Sequence, residues 1–311
     1  MYLDRPTLFE EEPPRTPGTP RGLHPFSVLR SELGPWRDRR RMWQDLGIAS
    51  RAGREHVTTY NTSDHFGRTV LGAISGGLST FDPVLAELSY SWYCPEGGRI
   101  LDPFAGGSVR GLVAANGGYP YTGIDLSAEQ IDANEEQAAA WRERDMLAAE
   151  PTWHLGDSAD VLPTMPDAGF DYVFTCPPYH NLEKYSDHPA DLSAMRWKDF
   201  AQAYREIIAE SIRCLADDRF ATWVVGEVRN SAGMIRGLIP LTIDAHEQAG
   251  AHLYNDSILL NTVGTTAARL PQQWRASRKV GRIHQYVLTF VKGDPKRATA
   301  RLSDPSEGGA R

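Results

Sequence analysis

From about residue 80 the chain alternates short apolar runs with longer stretches of helical period. "GRILDP" (98–103) reads as a buried strand, followed by a Gly-rich turn and a helix over about 108–117. "YPYTGIDL" (119–126) is the next strand, and "SAEQIDANEEQAAAWRERD" (127–145) a helix with Ser127 placed as its N-cap. "TWHLGDSAD" (152–160) predicts a third strand and turn, and "FDYVFTCPPY" (170–179) a fourth. Over 193–216 the positions Phe200, Tyr204, Ile207, Ile208, Ser211, Ile212 and Leu215 recur at helical spacing, which predicts an amphipathic helix. "RFATWVVGEV" (219–228) is a fifth strand, 238–250 another helix, and "HLYNDSILLNT" (252–262) with "IHQYVLTFVKG" (283–293) a closing strand pair. Strands alternating with helices predict an α/β fold. The expected sheet is Rossmann-like, doubly wound and mostly parallel, with an antiparallel closing strand. Ligands of such sheets bind at the carboxyl ends of the strands.

The flanks have a different texture. Residues 1–24 are acidic and then Pro-rich, which predicts a disordered arm. Residues 25–75 form a basic extension in which Trp36 and Trp43 alternate with arginines, read as short helical pieces. The main domain is expected over 76–294, with a polar, flexible tail over 295–311. The 311 residues carry a net charge of −7, which excludes a uniformly basic nucleic-acid coat but leaves room for local basic patches. Three separated cysteines supply neither a disulfide framework nor zinc spacing, fitting a reducing cytosol, and no metal is expected. No apolar run approaches the length of a membrane span, so no membrane partner is expected.

Candidate chemistry falls at the predicted strand ends. In "LDPFAGGSVRG" (101–111), Gly106 and Gly107 permit a tight turn and close backbone approach to a ligand. Asp125 ends the next strand, 23 residues after Asp102, about where an acid would grip ribose hydroxyls, and Asp157 ends the third and could accept from an adenine amine. The turn lacks both the Gly-x-Gly-x-x-Gly spacing and a P-loop. An acid at Asp102 repels phosphates and suits a cation such as a sulfonium with an amino-acid tail. That points to S-adenosylmethionine. Pro103, Phe104, Ser108, Leu126 and Ser158 complete the expected pocket.

"DPFAGGS" followed by "CPPY" resembles the amino-methyltransferases of nucleic acid, whose signatures are a DPFxGxG-type turn and an Asp/Asn/Ser-Pro-Pro-aromatic loop. "WRDRRRMWQDLGI", "STFDPVLAEL", "YTGIDLSAEQIDAN", "TCPPYHNLEKYSD" and "RKVGRIHQYVLTFVKGDPK" extend the resemblance to DNA methylases of phages and prophages, over roughly residues 25–298. The resemblance implies a class I methyltransferase fold, S-adenosylmethionine, and methylation of an exocyclic amine of cytosine or adenine in double-stranded DNA. It also implies that Phe81 and Asp82 close over the methionine tail. Two positions depart from the family pattern: the turn is Gly106-Gly107-Ser108 rather than Gly-x-Gly, and Cys176 stands where the family has Asp, Asn or Ser.

The expected catalytic loop is Cys176, Pro177, Pro178 and Tyr179. An aromatic amine is a poor nucleophile and is helped by acceptors aimed at its nitrogen. Prolines lack N–H groups and have fixed φ angles, so the loop offers rigid carbonyls without competing donors. The Pro177 carbonyl is assigned as main acceptor and Tyr179 as the stacking surface for a flipped base. Cys176 has three readings: a weaker stand-in for serine, inert packing, or a thiolate attacking a pyrimidine ring as in carbon-5 methylation. The last usually goes with a Pro-Cys order rather than Cys-Pro. The same loop also serves RNA or protein-glutamine substrates, and a binding module without turnover is a further alternative.

Two basic islands are the expected phosphate contacts. Residues 261–282 carry Arg269, Arg275, Arg278, Lys279 and Arg282 with no acid, net +5, and include Trp274. Residues 21–60 hold eight arginines, among them Arg39 and Arg40, against four acids, net +4.

Overall fold

The computed structural model describes residues 23–48, 58–59, 81–180, 183–184, 191–261 and 266–302, with only the backbone for 58–59, 183–184 and 266–269. The chain enters through β1 (Val28–Arg30), α1 (Gly34–Asp45), β2 (Thr58–Thr59) and α2 (Pro83–Tyr93). Next come β3 (Ile100–Asp102), α3 (Val109–Asn116), β4 (Tyr121–Asp125), α4 (Ala128–Glu143), β5 (Pro151–Leu155) and α5 (Ser158–Val161). The second half contains β6 (Phe170–Thr175), β7 (Glu183–Lys184), α6 (Trp197–Cys214), β8 (Leu215–Val225) and α7 (Leu238–Gln248). It closes with β9 (Ala251–Leu260), α8 (Thr266–Ser277), β10 (His284–Lys292) and α9 (Pro295–Thr299).

Eight strands form one sheet in the order β1-β9-β10-β8-β6-β3-β4-β5, and β2 pairs with β7 separately. Strand β10 runs antiparallel to both neighbours, whereas the other pairings in the sheet are parallel. This is the Rossmann-like α/β sheet expected from the pattern, with its antiparallel strand. The chain winds outward from β3 to β5 and then returns to place β6 beside β3. The carboxyl ends of β3 and β6 therefore flank the switch point, the position at which sheets of this kind bind their ligands.

Alternation along the strands supplies two apolar layers. Ile100, Tyr172, Phe174 and Phe220 face a core with Trp36, Trp43, Tyr90 and Trp141, while Leu101, Val173, Ala221 and Trp223 face α6 and α7. The stripe predicted on α6 is buried at Phe200, Tyr204, Ile207, Ile208, Ser211 and Ile212. Leu215, predicted to extend that helix, instead starts β8 and pairs with Phe170.

Three elements differ from the sequence expectation. Helix α2 carries no apolar stripe to read because it is buried on nearly all sides, including Glu87. Its carboxylate accepts from Trp43 Nε1 at 2.9 Å and from Arg39. Strand β1 adds to the sheet edge by pairing in parallel with β9, so the start of the basic extension is built into the fold, while residues 49–57 and 60–75 of it lie outside the described residues. Residues 295–299, expected in a flexible tail, form α9: Asp294 caps Lys296 and Arg297, Arg297 pairs with Asp218 at 2.7 Å, and Ala298 is buried. The rest of the predicted tail, 303–311, and nearly all of the predicted disordered arm lie outside the described residues.

Candidate functional site

Strand β3 ends at Asp102, which is fully buried. One carboxylate oxygen accepts from Arg110 Nε at 2.5 Å and Tyr121 Oη at 2.8 Å, the other from Thr175 Oγ1 at 2.6 Å and Phe104 N at 3.1 Å. Burial works against the Arg110 charge, but Asp102 beside it outweighs that cost and raises the guanidinium pKa. Burial, with Asp102 added, also pushes the Tyr121 phenol well up, so both donors keep their protons. Asp102 is thus not the uncompensated acid that would draw a cation by its field; Arg110 neutralises it. Its work is to tie β3, β4, α3 and β6 together at the switch point.

The turn itself wraps the Arg110 guanidinium, which donates to the carbonyls of Phe104 and Ala105. Gly106 sits at φ +52°, a left-handed conformation, and its N–H donates to Asp125 at 2.8 Å. The other Asp125 oxygen accepts from Ser127 N at 2.9 Å. Asn134, fully buried on α4, donates to the Gly106 carbonyl at 2.8 Å. Gly123 lets the turn lie against β4, since a Cβ there would stand 2.7 Å from that of Ala105. Ser158 donates to the buried Pro103 carbonyl, and Asp157 caps α5 through Ala159 N at 2.9 Å. Leu126 is half-buried beside Asp125, and Gly107 half-buried beside Gly106. Ser108, buried at the start of α3, holds a hydroxyl with no partner among the described residues.

Phe81 lies over Arg110 at 4.6 Å and edge-on to Phe174 at 5.6 Å, so the segment before the turn packs against the residue that the turn wraps. Asp82 does something else: it caps α2 through Val84 N, accepts from Trp36 Nε1 at 2.9 Å, and pairs with Arg40.

Beside β3, β6 delivers the Pro-Pro loop. Pro177 is buried, Cys176, Pro178 and Tyr179 are half-buried, and among the described residues no donor meets the Pro177 carbonyl. Cys176 Sγ lies 3.8 Å from Tyr179 Oη, which accepts from Gln285 Nε2 at 2.7 Å. The Tyr179 ring lies against Gly226. His180 is buried with Nε2 on the Met195 carbonyl at 2.9 Å, and burial lowers its pKa. Glu227 caps α7 through Gly237 N and Leu238 N. Residues 181–182 and 185–190, which follow the loop, lie outside the described residues.

The basic insertion rises from the same edge of the sheet, between the end of β9 and the start of β10. Trp274 is 43% exposed with Arg278 stacked over it at 5.5 Å; Arg275 and Arg282 are exposed and Lys279 half-buried. The Arg269 side chain lies outside the described residues. Arg39 and Arg40 are half-buried, with their guanidinium groups paired to Glu87 and Asp82 in contacts that clamp α1 onto α2. Sequence reasoning missed Arg110, Thr175, Asn134 and Gln285. Thr175 directly precedes the Pro-Pro loop and was legible as the last strand residue; the other three carry no local signal.

No family model matches the chain, and no curated protein matches it. Among solved structures it is similar to a SAM-dependent methyltransferase from Methanosarcina mazei, at 15% identity over 65% of this chain and 95% of that one, with a TM-score of 0.45. It is also similar to TrmN from Thermus thermophilus, at 17% identity over 68% of this chain and 49% of that one, TM-score 0.44. A candidate DNA modification methylase, also from Thermus thermophilus, shares 20% identity over 45% of this chain and 51% of that one, TM-score 0.34. The chain spans about half the length of the two Thermus proteins. Likenesses this distant concern shape alone, and the chemistry has to be argued from this chain's own residues.

Proposed function

We propose that the chain is an S-adenosylmethionine-dependent methyltransferase acting on the exocyclic amine of a cytosine or adenine flipped out of DNA. The observation that carries this reading is the meeting of the two signature segments. The glycine turn after β3 and the Pro-Pro loop after β6 are joined at the switch point by the Thr175–Asp102 hydrogen bond of 2.6 Å.

The residues of the turn fit the cofactor. Ser108 offers a buried hydroxyl with no partner among the described residues, α3 begins there with its first N–H groups lacking intrahelical partners, and Asp125, at the end of β4, is the acid that would accept from ribose hydroxyls. Phe81 supplies an aromatic wall over Arg110. When bound, S-adenosylmethionine supplies an electrophilic methyl group on a sulfonium. The loop does the rest: the Pro177 carbonyl accepts from the target amine and localises its lone pair, and Tyr179 stacks on the base, worth roughly 1–3 kcal/mol. Gln285 and Gly226 hold the Tyr179 ring in place for that contact. Arg275 on α8 and Arg278 and Arg282 just after it are exposed, at the same edge of the sheet as the Pro-Pro loop, and would meet the phosphates of a bound duplex.

Purified protein with labelled methyl donor, offered DNA, RNA and protein separately, tests the reading. The expected outcome is label in DNA, recovered after digestion as N4-methylcytosine or N6-methyladenine by mass spectrometry. Label confined to RNA or protein glutamine, or 5-methylcytosine as product, overturns it. Cofactor binding without transfer to any substrate assigns a binding module instead.

A further inference from the structure

Strand β8 ends at Val225, and before α7 begins the chain makes a short excursion at the edge that carries the Pro-Pro loop. An isolated antiparallel bridge joins Arg229 to Ile235. Inside it, Asn230 N donates to the Met234 carbonyl and Gly233 N to the Asn230 carbonyl, each at 2.8 Å. Asn230 Oδ1 accepts from Met234 N at 2.9 Å, and Arg229 Nη1 donates to the Gly233 carbonyl at 2.8 Å. The base of the excursion is clamped by Glu227, whose Oε1 accepts from the backbone N–H groups of Val228, Gly237 and Leu238. So dense a set of bonds makes the turn rigid. Yet it holds Met234 and Ile235 66% and 55% exposed.

The surroundings say what such a tip could meet. Gly226, at the root of the excursion, touches the Tyr179 ring: a Cβ there would lie 3.4 Å from its ζ carbon. The Lys279 ammonium, from the basic insertion, lies against Gly233: a Cβ there would stand 2.5 Å from its Nζ. Arg229 is exposed, Arg278 lies one residue from Lys279, and Arg236 stacks over Trp197 at 5.3 Å. A rigid apolar tip inside a collar of cations suits a partner that is apolar within and anionic outside. Two side chains are too small a patch for a stable protein interface, which takes about 800 Å² from each partner.

We propose that Met234 and Ile235 form a wedge that enters the base stack of duplex DNA at the place vacated by the base drawn onto Tyr179. Lys279, Arg229 and Arg278 contact the flanking phosphates. Insertion of apolar side chains between base steps is a known way to stabilise an unstacked duplex. This inference rests on the DNA reading above and adds the element that would hold the duplex open.

The test compares methyl transfer to duplex genomic DNA with transfer to the same DNA heat-denatured, for the wild type, Met234→Ala/Ile235→Ala and Met234→Gln. Anisotropy of fluorescein-labelled duplex and single strand, without cofactor, gives a second readout. The double variant should lower the duplex-to-single-strand ratio of both rate and affinity by about tenfold, equivalent to roughly 1.4 kcal/mol. Should the double variant melt early, Met234→Gln, which touches only an exposed side chain, must show the same selective loss. An unchanged ratio overturns the wedge, as does self-association in sedimentation that the double variant abolishes, which would give the tip to a second copy. If the wild type methylates duplex DNA and the variants equal it, only the wedge falls. If the wild type methylates no DNA in either form, the proposed function falls and the wedge with it.

Discussion

Cys176 is the residue at which the loop departs from its family pattern, and its surroundings favour a minor role. Its sulfur faces the Tyr179 hydroxyl at 3.8 Å, and the nearby His180 ring is turned to the Met195 carbonyl. Sulfur accepts hydrogen bonds weakly, whereas the Pro177 carbonyl has its geometry set by two prolines. Cys176→Ser should therefore keep substantial activity or raise it, while Tyr179→Ala should lower it by about tenfold or more as the stacking surface is removed. The check is kcat/KM for both variants with a 5-fluorocytosine duplex as control; trapping by wild type but not by Cys176→Ser would point to carbon-5 chemistry instead. Asp125 and Asp102 separate in the same way. Asp125→Ala should weaken S-adenosylmethionine binding by roughly 1.5–3 kcal/mol, as expected for charge-assisted hydrogen bonds. Calorimetry with unchanged affinity would remove Asp125 from the pocket. Both acids were visible as strand ends, but only the fold revealed that Asp102 is consumed by Arg110, Tyr121 and Thr175.

At the scale of elements, charge counted along the chain and charge offered to a partner are different quantities. Helix α1 and helix α8 both look basic in sequence. On α1, Arg39 and Arg40 are paired with acids of α2, and Trp43 stacks on Trp141 at 6.4 Å, so much of the element's chemistry is structural. On and just after α8, Arg275, Arg278 and Arg282 are exposed. Replacing Arg275, Arg278 and Lys279 by alanine should flatten the salt dependence of DNA binding, without altering cofactor affinity. The log–log slope should fall by about 0.9 for each phosphate that the variant no longer neutralises. An unchanged slope in a salt titration would place the duplex elsewhere. The same contrast explains the hidden helix: α2 has an N-cap in Asp82 and a proline in its first turn, but an element buried all round has no polar face to reveal its period.

For the whole molecule, the layer between the sheet and α7 contains a pH liability. His246 is fully buried, stacked on Phe290 at 3.7 Å with its edge contact to Trp223 at 4.4 Å, and its Nε2 has no partner among the described residues. Burial lowers its pKa from 6.5 to about 3. Between those values the unfolded chain binds a proton that the folded chain refuses. Stability should thus fall as pH drops below about 6.5, approaching 1.4 kcal/mol per pH unit from this group, and level off only near pH 3. Urea unfolding of wild type and His246→Phe across this range checks it: the variant should lose stability less steeply on acidification, and parallel curves would refute the assignment. The strand and helix alternation, the N-cap at Ser127, the stripe on α6 and the two signature segments were all determined by the sequence itself, because they depend on neighbours within a turn or two of chain. Which acid is neutralised, which arginine is free to face a partner, and that Gln285 holds Tyr179 across 106 positions were decided only by the tertiary structure. Such pairings depend on which strand lies beside which, and the sheet brings together residues that no local period or spacing relates.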